Sequence, residues 1–221
     1  MSKEHDPVQF RNPVGDEGRS LLEDMNEHHR PLTEWALSKI PDGRRERILD
    51  IGCGGGMLIS LLSAMHRDAE IYGIDISEES VAMTRKVNAE LVDSGRCRVS
   101  LDSVSELPFE EGSFDLVTAF ETYFFWPDLD DDIVKAAAMV ADGGCFVIVS
   151  ETYPHPMFKE RNDEIIRSYG LDLRENDEMT AMLKDCGLSV TVHEIEERNW
   201  VVFVGTRVSS RNPTRCGTSV S

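Results

Sequence analysis

A doubly wound α/β fold, with seven mostly parallel strands, helices on both faces and a C-terminal antiparallel hairpin, is what this sequence predicts. Three observations carry that expectation. Ile48-Leu49-Asp50-Ile51 has strand character and runs into Gly52-Cys53-Gly54-Gly55-Gly56, after which an apolar helical run opens at Met57. That is the pattern of a strand, a tight turn and a helix start. Beyond it, short strand patterns alternate with helical ones, as in a parallel sheet wound through crossover helices. Finally, strand patterns at residues 188–195 and 200–207 follow each other directly and form a closing hairpin. At 221 residues there is room for one such domain and not for two ordinary ones.

The elements follow in order. Residues 1–18 are polar, hold Pro7, Pro13 and Gly15, and show no sustained period. They are expected to be an arm, either loose or folded over a ligand. From 19 to 40 the apolar positions Leu21, Leu22 and Met25, then Leu32, Trp35, Ala36 and Leu37, recur at helical intervals. Pro31 interrupts them, so two helices should meet at His29-Arg30. After the glycine turn a helix spans 58–66, and a second strand, 70–76, carries Asp75 near its end. Ser77 caps the next helix, with Glu78 and Glu79 in its first turn, and that helix runs to about Val92. Strands at 98–101 and 114–119 follow. A helix at 130–141 is expected to stop at Asp142-Gly143-Gly144 before a fifth strand, 145–150. Helices at 159–169 and 176–186 precede the hairpin. The domain should therefore cover 19–207, and the unpatterned residues 208–221 should be a disordered tail.

Composition narrows the function. The net charge is −18, from 23 basic and 41 acidic residues spread along the chain. A polymeric nucleic-acid partner would need a basic face, so none is expected. No apolar run approaches the roughly 20 residues of a membrane span. Residues 1–10 are charged and lack an apolar signal core, so the expected location is cytoplasmic. The five cysteines, Cys53, Cys97, Cys145, Cys186 and Cys216, are far apart and include no Cys-x-x-Cys pair. Neither a disulfide framework nor a metal site is expected.

The glycine turn marks a ligand site at the carboxyl end of the first strand, where the following helix directs its free N–H groups and positive dipole end. Its spacing argues against two common ligands. The dinucleotide fingerprint wants glycine at the sixth position from Gly52, and Met57 stands there; the phosphate loop needs a lysine, and none occurs between Lys39 and Lys86. The segment Leu49-Asp50-Ile51-Gly52-Cys53-Gly54-Gly55-Gly56 instead resembles the first motif of the class I S-adenosylmethionine-dependent methyltransferases. Leu107-Pro108-Phe109, Phe114-Asp115-Leu116-Val117 and Ala119-Phe120-Glu121-Thr122 extend the likeness to small bacterial and archaeal members of that family. It spans roughly residues 25–207 and is densest from 48 to 127. The seven-stranded sheet with a terminal hairpin is that family's variant of the Rossmann-like fold.

The resemblance implies S-adenosylmethionine as cofactor, transfer of its methyl group as activity and a small-molecule acceptor as partner. It places Asp50, Gly52, Cys53 and Gly54 at the methionine end of the cofactor. Asp75, 23 positions beyond Gly52, suits the ribose hydroxyls, with Ile76 beside it. The family's adenine-binding acid would fall at Ser103, but the acid stands one earlier, at Asp102. Ser103 and the main chain at Val104 are therefore the favoured adenine contacts, with Asp102 as the alternative. Phe120 completes the cofactor set. Four aromatics crowd residues 123–126, more than a half-buried loop can easily pack, so the acceptor wall is expected from Tyr123 and Trp126 with Asn26 and His155. Glu121 and His29 are the candidate catalytic residues. The alternatives are a cofactor-binding protein without transfer activity and, more remotely, a nucleotide-dependent oxidoreductase.

Overall fold

The computed structural model describes residues 6–208. The expected tail lies outside them, apart from Val208. The chain opens with α1 (Pro7–Arg11), α2 (Gly15–His28) and α3 (Arg30–Leu37), then enters the sheet through β1 (Arg47–Ile51). After α4 (Met57–Met65) come β2 (Glu70–Asp75), α5 (Glu78–Val87), α6 (Ala89–Asp93), β3 (Cys97–Leu101) and β4 (Phe114–Phe120). The remainder is α7 (Leu129–Ala138), β5 (Val140–Ser150), α8 (Lys159–Tyr169), α9 (Asn176–Asp185), β6 (Leu188–Ile195) and β7 (Trp200–Arg207).

The seven strands lie in the order β3-β2-β1-β4-β5-β7-β6. The first five are parallel; β7 runs antiparallel to both β5 and β6. The order reverses between β1 and β4, so the crevice at their carboxyl ends is the switch point where open α/β sheets bind ligands. β1 lies inside the sheet between β2 and the central strand β4, and its Ile48, Leu49, Asp50 and Ile51 are all buried. One core packs α7 and α9 on one face, around Phe114, Phe146, Ile133 and Phe203; the other packs α3 and α4 on the opposite face, around Ile48, Ile59, Leu62 and Val147.

Three local features differ from the sequence expectation. The helix expected over 130–141 ends at Ala138, and β5 begins at Val140, which pairs with Phe114 ahead of a register shift. Asp142-Gly143 thus sits in a bulge of β5, and Gly143, at φ 78°, supplies its left-handed residue. The helix expected over 77–92 divides at Asn88, whose side-chain amide donates to the carbonyls of Gly56 and Thr84 at 2.9 and 3.0 Å. The arm is folded: Asp6 caps α1, and α2 starts at Gly15, four residues early. Pro13 packs so closely on Gly18 that a Cβ there would come within 2.7 Å of the Pro13 backbone.

Candidate active site

The carboxyl ends of β1, β2 and β4, together with α2 and the arm, enclose a cleft of about 1150 Å³, counting space open to solvent. That is at or above the upper end of the roughly 300–1,000 Å³ of small-molecule sites. Its floor is the glycine turn. Gly52, at φ 75°, and Gly54, at φ 49°, turn the chain through the left-handed region. A Cβ on Gly54 would meet little, its nearest neighbour being Leu22 at 3.9 Å. The other glycines answer to packing: a Cβ would strike Thr122 at Gly52, Asn26 at Gly55, and Thr84 and Asn88 at Gly56. Close packing within the chain thus accounts for three of the four.

Asp50 and Asp75 are the buried acids of the floor, 1% and 9% exposed. Thr118 Oγ1 donates to Asp50 Oδ1 at 2.8 Å, and Asp50 Oδ2 has no partner among the described residues. Burial pushes the Asp50 carboxyl up to about 7; the Thr118 hydrogen bond opposes the shift and the Asp75 charge adds to it. An orphaned, desolvated carboxylate oxygen of this kind is suited to a cationic ligand group. Asp75 accepts from the Gly54 amide at Oδ2 and from the Ser77 amide at Oδ1, both at 2.9 Å. Burial raises its pKa against those hydrogen bonds. Each oxygen keeps a second lone pair for a ligand hydroxyl.

The cleft wall beside β2 and β3 holds Ile76, Asp102, Ser103 and Val104. Ile76 is 49% exposed, an apolar platform at the rim. Ser103 Oγ accepts from the Ser105 amide at 3.2 Å and so caps the short turn that follows. The Asp102 side chain has no hydrogen-bonding partner among the described residues, whereas its own amide donates to the Asp75 carbonyl at 3.1 Å. Asp102 thus keeps both carboxylate oxygens free, whereas Ser103 Oγ has one of its two lone pairs engaged.

The opposite wall comes from the N-terminal helices and the end of β4. Asn26 and His29 line it with Phe120, Glu121 and Trp126. The Asn26 amide donates to the Gly55 carbonyl at 3.0 Å, Ser77 Oγ donates to the Pro13 carbonyl at 2.6 Å, and Arg19 pairs with Glu79 at 2.7 Å. These contacts clasp arm and α2 across the glycine turn. Glu121 has φ 55°, a left-handed backbone uncommon outside glycine. Its Oε1 accepts from the Glu151 amide at 2.5 Å. Burial, then the nearby Glu151 charge, raises the Glu121 carboxyl well above the usual range.

Two predicted wall residues are elsewhere. Tyr123 is 1% exposed within the core beneath the cleft, because the left-handed turn at Glu121 sends the next aromatics inward. His155 caps the short turn at Pro156–Phe158, with its ring against Tyr153 and Phe158, and does not line the cleft. Phe10, Arg11 and Pro13 of the arm do line it. The sequence allowed the arm to fold over a ligand, but the absence of a sustained period left these three residues unnamed.

A methyltransferase domain model matches residues 48–144. The 27-O-demethylrifamycin SV methyltransferase of Amycolatopsis mediterranei (strain S699) is 32% identical over 167 residues, 71% of this chain and 59% of that protein. The ubiquinone biosynthesis O-methyltransferase of Bordetella avium (strain 197N) is 33% identical over 113 residues, 50% of this chain and 45% of that protein. Residues 48–144 match the methyltransferase domain family, and across that stretch the chain is similar to class I S-adenosylmethionine-dependent methyltransferases.

The chain spans about half the length of the curated relatives it matches. Its fold is shared with an O-methyltransferase family protein from Burkholderia thailandensis, at a TM-score of 0.77 and 18% identity, covering 93% of this chain and 64% of that one. A geranyl diphosphate methyltransferase solved with geranyl diphosphate and sinefungin gives a TM-score of 0.70 at 18% identity, covering 88% and 84%. Among the described residues no helix is long and apolar enough to cross a membrane.

Proposed function

We propose that this chain binds S-adenosylmethionine in the cleft and directs its methyl group to a small-molecule acceptor. The observation that carries this reading is the orphaned Asp50 Oδ2, buried beside the glycine turn at the switch point of the sheet. A cofactor ammonium placed there would restore the charge that burial disfavours on Asp50. Asp75 would take the ribose hydroxyls while still bracing Gly54. Adenine would lie between Ile76 and Val104, with its amino group on Asp102.

The cofactor, when bound, supplies an activated methyl group for in-line displacement. What remains for the protein is to align the acceptor atom at about 3 Å and to exclude water. The clasped arm and α2 serve the second purpose. Asn26, His29, Glu121 and Trp126 then face the acceptor. Glu121 is the candidate for a proton from it, since a carboxyl raised by burial is a stronger base than an ordinary one. The catalytic unit is taken as the single domain 19–207 together with its arm, and its relatives' small-molecule acceptors support the same class here.

The test has two parts. S-adenosylmethionine and S-adenosylhomocysteine should raise the melting temperature where NAD does not. Labelled methyl should then pass to a component of a metabolite extract. Stabilisation without transfer would leave a cofactor-binding protein, and stabilisation by NAD alone would overturn the reading. Within the site, a base role for Glu121 predicts that Glu121→Gln loses turnover and keeps cofactor affinity. A rise in the cofactor's Kd with turnover preserved would assign Glu121 to binding.

A further inference from the structure

Three metal-binding side chains from two distant parts of the chain converge on the rim of the cleft. His28 ends α2, His29 caps it, and Glu151 directly follows β5. His28 Nε2 lies 3.1 Å from Glu151 Oε2, and His29 Nε2 lies 3.5 Å from Glu151 Oε1. All three donor groups fall within 4.8 Å of one another. Ligand atoms about 2.0–2.2 Å from a zinc ion stand about 3.4 Å apart in a tetrahedral set. The two His–Glu contacts, each to a different oxygen of Glu151, are near that spacing, and with all three donor groups within 4.8 Å of one another side-chain rotation can bring them onto one ion.

We propose that His28, His29 and Glu151 bind one divalent transition-metal ion of the zinc or cobalt class. Two imidazoles and one carboxylate suit late first-row ions, whereas magnesium and calcium take oxygen donors. The Glu151 backbone is held on both sides, its amide by Glu121 Oε1 and its carbonyl by Arg161 Nη2 at 3.3 Å. Its carboxylate is thereby aimed at the two rings, one oxygen to each. An ordinary ion pair would need only one of them. The expectation of no metal site rested on the spacing of the cysteines, and this set contains none.

Three protein ligands leave a coordination position open. His29 also lines the cleft, so the ion borders the space assigned to the acceptor. An acceptor oxygen, from a hydroxyl or a carboxylate, fills that position and fixes the acceptor against the cofactor. This part rests on the methyltransferase reading above. It also removes His29 as a base, because the metal takes its lone pair, and leaves Glu121 in that role.

The experiment titrates CoCl₂ and ZnCl₂ into the full chain, freed of any affinity tag and stripped with chelator, by calorimetry and by cobalt visible absorption. One ion per chain is expected, with the Kd at least tenfold higher in His28→Ala. The His28 side chain is 67% exposed, so that variant keeps its fold. Glu151→Gln should show the same loss. Absence of stoichiometric binding, or binding undiminished in His28→Ala, overturns the proposal and leaves a His–Glu ion pair. S-adenosylhomocysteine is titrated in parallel: a chain that binds cobalt but not S-adenosylhomocysteine keeps the metal site and sinks the cofactor reading.

Discussion

Replacing Asp50 with asparagine should stabilise the free protein at high pH while damaging its cofactor site. The Asp50 carboxyl is pushed from 3.8 up to about 7, chiefly by burial. Each tenfold change in proton affinity is worth about 1.4 kcal/mol, so ionised Asp50 costs the folded state on the order of 4 kcal/mol above pH 7. A group whose folded pKa is raised contributes stability that is complete below its unfolded value and lost as pH climbs through the folded one. The loss therefore accumulates from about pH 4 to pH 7. The asparagine side chain cannot ionise, although its amide group leaves a buried donor unsatisfied at a cost of about 1–3 kcal/mol. That cost does not depend on pH, so the clean quantity is the change in the gap between the two proteins. From pH 5 to pH 8 the gap should move by about 2.5–3 kcal/mol in favour of Asp50→Asn, which is roughly 5–10 °C in melting temperature for a domain of this size. Denaturant unfolding and calorimetry at the two pH values measure it. A gap that does not change with pH would refute the reasoning.

The remaining predictions concern the ligand. Asp75→Ala removes the brace on Gly54 and, in the proposed cofactor pose, two ribose contacts, and should weaken S-adenosylhomocysteine by about 1.5–3 kcal/mol in calorimetry, the scale of hydrogen bonds to a charged group. Asp102→Ala should weaken it about tenfold, and Ser103→Ala little, because the Ser103 hydroxyl is engaged in its local cap. The reverse ranking in the same titration would return adenine to Ser103. Asn26→Ala breaks the tie from α2 to the Gly55 carbonyl. It should accelerate both S-adenosylhomocysteine release in stopped flow and proteolytic cutting of the arm, and unchanged rates would show that the clasp lies elsewhere.

Much of the fold was legible because its signals are local. The strand, the glycines and Met57 specify a turn whatever the remote chain does, and Asp75 can be placed by its position at a strand tip. Asp50 could be located too, but its orphaned oxygen could not, since Thr118 reaches only one side of it from the neighbouring strand. The aromatics after β4 misled in part. Whether a residue beyond a strand end faces core or cleft depends on one backbone angle, and the left-handed Glu121 buries Tyr123 and Phe124 while leaving Phe125 and Trp126 on the wall. The convergence of His28 and His29 with Glu151, 123 residues from His28, leaves no trace in spacing. For the arm the sequence left loose and folded-over readings open, because its hold on the site depends on a main-chain carbonyl, that of Pro13, which any residue could supply.

A crystal structure of the full chain with S-adenosylhomocysteine tests the central claim most directly. The account predicts the amino acid moiety beside Asp50 Oδ2, both ribose hydroxyls on Asp75, adenine between Ile76 and Val104 with its amino group at Asp102, and the sulfur facing Glu121 and His29. Density for the ligand away from the glycine turn, or an Asp50 carboxylate left without a ligand contact in the complex, would contradict it.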